Sequence, residues 1–109
     1  MTRMDPNKAV DYIVKHAPLY AKAKAERVYL EEFRKSKKAL LMKACNESTV
    51  NAQEREAYSH PEYIALLEGL RSAVETEETL RWSLVAAQAR MDVWRTQSAN
   101  ERAQDRAAA

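Results

Sequence analysis

From Leu66 to Ser98 the side chains follow alternating steps of four and three: Leu66, Leu70, Ala73, Glu77, Leu80, Leu84, Ala87, Met91, Trp94 and Ser98. Eight of these ten are apolar, and the spacing is that of a helix packed along a narrow seam. A run of this kind has few alternatives, because a strand would need strict alternation. The chain holds a single glycine and three prolines in 109 residues. Many-stranded folds need turn residues at regular spacing, and phosphate-cradling loops need two or more glycines. Neither is affordable here. The expectation is one all-α domain over residues 1–109.

Element boundaries follow from local signals. Met1 to Met4 forms a loose start. Asp5-Pro6 places an N-cap before a proline at the first helical position, opening a short helix over residues 5–17. Val10, Ile13, Val14 and Ala17 make its apolar face, and Pro18 should break or kink it. A central helix follows over residues 18–45, with a seam of Leu19, Ala23, Glu26, Leu30, Phe33, Lys37, Leu40 and Ala44. Residues 46–59 form a polar connector, with Asn51 and Glu54 capping a short helical piece. Ser59 and Glu62 form a capping box for the long last helix over residues 60–103, and residues 104–109 form a frayed tail. Gly69 interrupts that helix at a cost of about 1 kcal/mol, for which a close helix contact is the expected reason.

The last helix matches the central helix and the short N-terminal helix together, so the expected architecture is a long antiparallel helical hairpin. Val10, Ile13 and Val14 then approach Met91 and Trp94. Lys37 falls opposite Glu77, where the two either pair and set the register or snorkel out to water. A second apolar stripe, Ile64, Leu67, Val74, Trp82, Val85 and Ala89, lies around the same helix. One hairpin covers one face, so the second stripe predicts a homo-oligomer interface, unless the short helices fold back over it.

Charge is divided along the chain. Residues 1–45 carry eleven Lys/Arg against five Asp/Glu, and residues 46–109 carry seven against eleven. Either the halves complement each other within the fold, or the basic half is a surface for anions. Lys24, Arg27, Arg34, Lys35, Lys37, Lys38 and Lys43 form the candidate phosphate-binding stripe, with Tyr20 or Tyr29 placed to stack on bases. Arg90, Trp94, Arg95, Arg102 and Arg106 form a second basic candidate near the C-terminus.

Catalytic signals are missing from the pattern. No nucleophile stands at a recognisable distance from a base. His16 lies beside the expected break and His60 in a cap. Cys45 is alone, so no disulfide framework or zinc spacing exists. Glu75, Glu77 and Glu78 read as a solvated face rather than as metal ligands. The expectation is therefore a non-enzyme without cofactor or metal. With no long apolar run, neither a membrane span nor a signal-peptide core is expected, and the location expected is cytoplasmic.

The order of parts from Tyr12 to about Arg102 resembles the UvsY-type recombination mediators of tailed phages. The likeness lies in a lysine-rich helix (Glu26-Arg27 through Lys37-Lys38-Ala39) and a connector with Tyr58-Ser59. It continues in a long helix carrying Leu80-Arg81-Trp82 and Met91-Asp92-Val93 ahead of Arg95. The resemblance implies a small, helical, ring-forming protein that binds single-stranded DNA and helps load a recombinase, in the host cytoplasm if phage-encoded. It places the DNA contact at Lys35, Lys37, Lys38 and Lys43. The connector departs from the family, with Asn46-Glu47-Ser48-Thr49 where a basic, glycine-containing segment is expected. A different class of function also fits: a structural or inhibitory module that docks a protein partner and no nucleic acid.

Overall fold

A computed structural model describes residues 5–109; the loose start expected at Met1 to Met4 lies outside them. The described residues are all-α, with three helices and no strand: α1 (Pro6–Ala44), α2 (Val50–Ser59) and α3 (Pro61–Ala108). Their contacts divide into two compact units, residues 5–20 with Thr79–Ala109, and Ala21–Glu78.

The largest departure from expectation is at Pro18, which lies inside an unbroken α1. Proline removes the hydrogen bond that the Val14 carbonyl would accept. Val14 and Pro18 both lie on the solvent side, where water can donate to that carbonyl instead. The short helix at 5–17 and the central helix at 18–45 are therefore one element. It starts as expected, with the Asn7 amide donating to the Asp5 carboxylate at 2.9 Å. Residues 50–59 of the expected connector are helical, and α3 continues through residues 104–108 of the expected frayed tail.

Continuity at Pro18 also shifts the seam of α1. Ala23, Leu30, Phe33 and Lys37 are covered as expected, but Leu19, Glu26, Leu40 and Ala44 are exposed. The phase set by Ala9, Ile13 and His16 carries on through Tyr20, Ala23, Arg27 and Leu30 to Leu41. Restarting the count at Leu19 misplaces those positions by one residue, which on a helix is about 100°. The seam of α3 agrees with expectation throughout: every position from Leu66 to Ser98 in its four-three pattern is buried or half-buried.

In the unit Ala21–Glu78, α2 closes a small core made by Leu41 from α1, Ala57 from α2 and Tyr63 from α3, with Met42 packed against it. The cap of α2 is Thr49, whose hydroxyl accepts from the Ala52 amide at 3.2 Å, rather than Asn51. Ser59 belongs to α2 and donates to the Arg55 and Glu56 carbonyls. The expected Ser59 capping box is replaced by His60, whose Nδ1 accepts from the Glu62 amide at 3.0 Å. At Gly69 a Cβ would meet nothing within 4 Å, so no close helix contact explains that glycine.

In the other unit, Ala9 and Ala87 are buried. Ile13 and Tyr20 line a mostly apolar groove of about 290 Å³ with Arg81, Leu84, Val85 and Gln88. Val10 and Val14, expected to pack towards Met91 and Trp94, are exposed. His16 stacks on Tyr12 at 3.8 Å and donates from Nδ1 to its carbonyl at 2.8 Å.

Candidate functional site

Glu77 sits in the seam of α3 and is only 5% exposed. A carboxylate taken out of water needs a cation with good geometry, and one turn of the shifted α1 seam supplies it. Arg27 donates from Nε to Glu77 Oε2 at 2.6 Å and from Nη2 to Oε1 at 2.9 Å. A bidentate fork of this kind fixes position as well as charge. Arg27 also donates to Glu31 at 3.1 Å. The Glu77 hydrogen bonds hold the Arg27 guanidinium above even its usual high range, against the opposing effect of burial.

The expected register pair of Lys37 and Glu77 is thereby corrected. Lys37 pairs instead with Glu62 at 3.0 Å, and this hydrogen-bonded pairing holds the Glu62 carboxyl below the usual carboxylate range. Arg27 lies fourteen residues before Leu41, and Glu77 fourteen after Tyr63, so charge pair and core cluster are equally spaced along α1 and α3. Four turns of helix separate them on both sides.

Next to the core, Arg34, Lys35 and Lys38 line an open groove of about 580 Å³ with Ala39, Met42, Tyr58 and Tyr63. Successive turns of α1 supply the cations; α2 and α3 supply the rings. Lys38 Nζ stands 4.8 Å from the centre of the Tyr58 ring and 3.3 Å from Glu54 Oε1. Contact with the Tyr58 hydroxyl, then with Glu54, raises Lys38 above the ordinary lysine range, so it keeps its charge at neutral pH. Tyr58 meets Tyr63 edge-to-face at 5.3 Å, an arrangement aromatic rings favour. The result is a half-exposed aromatic ring with cations beside it and an apolar floor.

The seven residues of the expected phosphate-binding stripe separate into two sets. Arg27, Lys37 and Lys38 form ion pairs with α2 or α3, and Lys35 pairs with Glu32 on its own helix at 3.3 Å. Lys24, Arg34 and Lys43 are exposed and make no ion pair among the described residues. Three cations of the basic half thus meet three carboxylates of the acidic half inside one unit. Arg34, Lys35 and Lys38 converge on the groove; Lys24, Arg27, Lys37 and Lys43 do not line it.

The expected stacking residues, Tyr20 and Tyr29, lie elsewhere: Tyr20 is in the seam, and Tyr29 stacks on Phe33 at 5.8 Å. Tyr58 and Tyr63 were missed as ring partners. A signal was present, since Tyr63 begins the seam of α3 three residues before Leu66. Among the described residues the second stripe stays uncovered: Ile64, Leu67, Val74, Trp82, Val85 and Ala89 are all exposed. The Arg81 guanidinium lies 4.5 Å from the centre of the Trp82 ring.

At the C-terminal candidate, Arg95 pairs with Asp92 at 2.6 Å, while Arg90, Arg102 and Arg106 are exposed and Trp94 is half-buried. Cys45 donates its thiol hydrogen to the Met42 carbonyl. Among the described residues, no group of His, Cys, Asp or Glu is placed to hold a metal ion. No helix among them is long and apolar enough to cross a membrane. No match was found for this chain among protein-family models, curated proteins or solved structures.

Proposed function

We propose that this chain is a non-enzymatic, oligomeric helical accessory protein that binds single-stranded DNA and acts with a recombinase or another protein in recombination or replication. The groove of Arg34, Lys35, Lys38, Tyr58 and Tyr63 carries this proposal. Cations bind phosphates by counterion release, and a ring beside them stacks on an unpaired base whatever its identity. That pairing suits single strands better than duplex DNA, whose bases are already stacked. The antiparallel hairpin displays the groove, and self-association through the second stripe repeats it, so weak sites add through avidity. A phage origin, and the cytoplasm of the host cell as its location, follow from the resemblance to UvsY-type mediators.

The test is binding to a labelled single-stranded oligonucleotide at about 20 mM salt, where phosphate contacts are strongest. Binding should be measurable there and fall steeply as salt rises. Tyr58→Ala should weaken it by about tenfold, as loss of one base stack implies. An Arg34→Glu, Lys35→Glu variant should bind weakest of all while keeping its helix content. No binding at low salt removes the DNA proposal.

A second proposal is favoured by the ion pairs. Arg27, Lys35, Lys37 and Lys38 already face carboxylates, which lowers the charge left for phosphates. Alternatively, therefore, the chain is a structural or inhibitory module that docks a protein partner through its exposed apolar faces. Binding that vanishes with oligonucleotides yet survives with a protein partner in high salt would favour it.

A further inference from the structure

Of the three cations in the groove, Lys38 has the least room to move. Its side chain is 27% exposed and that of its partner Glu54 42%. Lys35 and its partner Glu32 are 72% and 69% exposed on their own helix. The difference comes from α2. Glu54 and Tyr58 stand four residues apart on that helix, and so on one face of it. Ala57 beside them is fully buried in the cluster with Leu41 and Tyr63. Docking through Ala57 therefore brings both a carboxylate and a ring to Lys38, with Glu54 Oε1 at 3.3 Å from its Nζ and the Tyr58 ring centre at 4.8 Å.

We infer that Glu54 holds the place of a phosphate in this groove and is a built-in competitor that a single strand must displace to reach Lys38. This inference rests on the DNA-binding part of the function proposed above and names what restrains it. To an ammonium group a carboxylate and a phosphate offer the same chemistry, anionic oxygens within hydrogen-bond reach. The Tyr58 ring is a separate contact, so Lys38 stays positioned beside it when Glu54 leaves. Exchanging one anion for another at Lys38 adds little net charge neutralisation. A bare phosphate therefore gains little there, whereas a nucleotide also stacks its base on Tyr58. The competitor thus favours strands with unpaired bases over simple polyanions.

Affinity of the full chain for a labelled oligothymidylate, measured across a salt series, tests this role. Glu54→Gln keeps the size of the side chain and removes its charge. It should tighten binding about threefold, the scale of one surface ion pair. It should also steepen the log–log salt dependence by about 0.7, the increment for one further phosphate on a single strand. A merely structural role predicts the opposite sign, since loosening α2 withdraws Tyr58 from the groove. Glu56→Gln makes the same charge change on α2 at a residue that lines a different cavity, with Leu41, Ala44 and Cys45; its gain should be smaller and its slope unchanged. In a Lys38→Met background, Glu54→Gln should do no more than Glu56→Gln. If the native chain and Glu54→Gln are both silent at about 20 mM salt, where phosphate contacts are strongest, the DNA proposal falls and this inference with it. If both bind with equal affinity and slope, or the gain is matched by Glu56→Gln or survives Lys38→Met, the DNA proposal stands and the role of Glu54 is overturned.

Discussion

The two units differ in how their helices are held. In Ala21–Glu78, three helices meet around Leu41, Ala57 and Tyr63, and three ion pairs tie α1 to its neighbours. Among the described residues of the other unit, α1 and α3 make the contacts and the small Ala87 is fully buried, while Val10, Val14, Trp82, Val85 and Val93 stay exposed. Two helices can shelter only the stripe between them; a third element is needed to enclose a tyrosine. Enclosure and directed charge therefore coincide in one unit, while exposed apolar side chains occur in both.

Removing the third element's grip should have the largest effect. Tyr63→Ala empties the core beneath α2 and should cost about 3 kcal/mol in chemical denaturation, as for other large aromatic truncations. Amides of α2 should then exchange much faster with solvent. If stability changes by less than about 0.5 kcal/mol, a range typical of surface substitutions, the core is not what distinguishes the units.

Pro18→Ala acts in the opposite direction and in the other unit. It restores a donor in the middle of α1, where proline costs up to about 3 kcal/mol relative to alanine. The midpoint of thermal unfolding should rise. A fall would mean that Pro18 makes a contribution its exposed position does not suggest.

The charge pair sharpens the comparison next. Glu77→Leu alone strands Arg27 beside an apolar residue and should lower the melting temperature. Arg27→Met with Glu77→Leu should recover most of the loss, because an apolar pair can replace a buried ion pair. Additive losses in that cycle would show that the two residues do not act together. Gly69→Ala should have a smaller effect, a gain of about 1 kcal/mol, since its Cβ would enter open space.

The smallest effect expected is on pH dependence. Glu62 is held below its ordinary range by Lys37, so the folded chain binds its proton less readily than the unfolded chain. The stabilisation is then fully present above the unfolded carboxylate value and is lost as pH falls through the lowered folded one. Lys38 has the opposite sign: raised by Tyr58 and Glu54, it adds stability below the ordinary lysine value and loses it as pH rises through the raised one. Lys37→Met should abolish the Glu62 contribution in an acid titration followed by NMR, while leaving the alkaline limb unchanged.

Much of this was legible before any coordinates. Asp5-Pro6 starts α1 because an N-cap and a proline are both local devices, and the seam of α3 was readable over ten positions because one unbroken helix keeps its phase. The seam of α1 was not. Pro18 looks like a boundary from its neighbours alone, and restarting the count at Leu19 put Glu26 where Arg27 belongs. One residue of phase then hid the partner of Glu77 and drew Arg27 into a stripe of supposedly free cations. The groove was half legible: its cations were named, but its rings were assigned to Tyr20 and Tyr29, because nothing local says that α2 brings Tyr58 against Lys38.

By itself the sequence determined the helical class, the start of α1, the heptad face of α3 and the existence of a second apolar stripe. These depend on periodicity and on residues within a turn or two of one another. Only the tertiary structure decided whether Pro18 ends a helix, which carboxylate each cation meets, and which tyrosines share the groove. Those choices depend on competition between segments far apart in the chain, where packing on both sides of a proline can outweigh its local cost. A buried glutamate likewise takes whichever cation the packed seam brings to it.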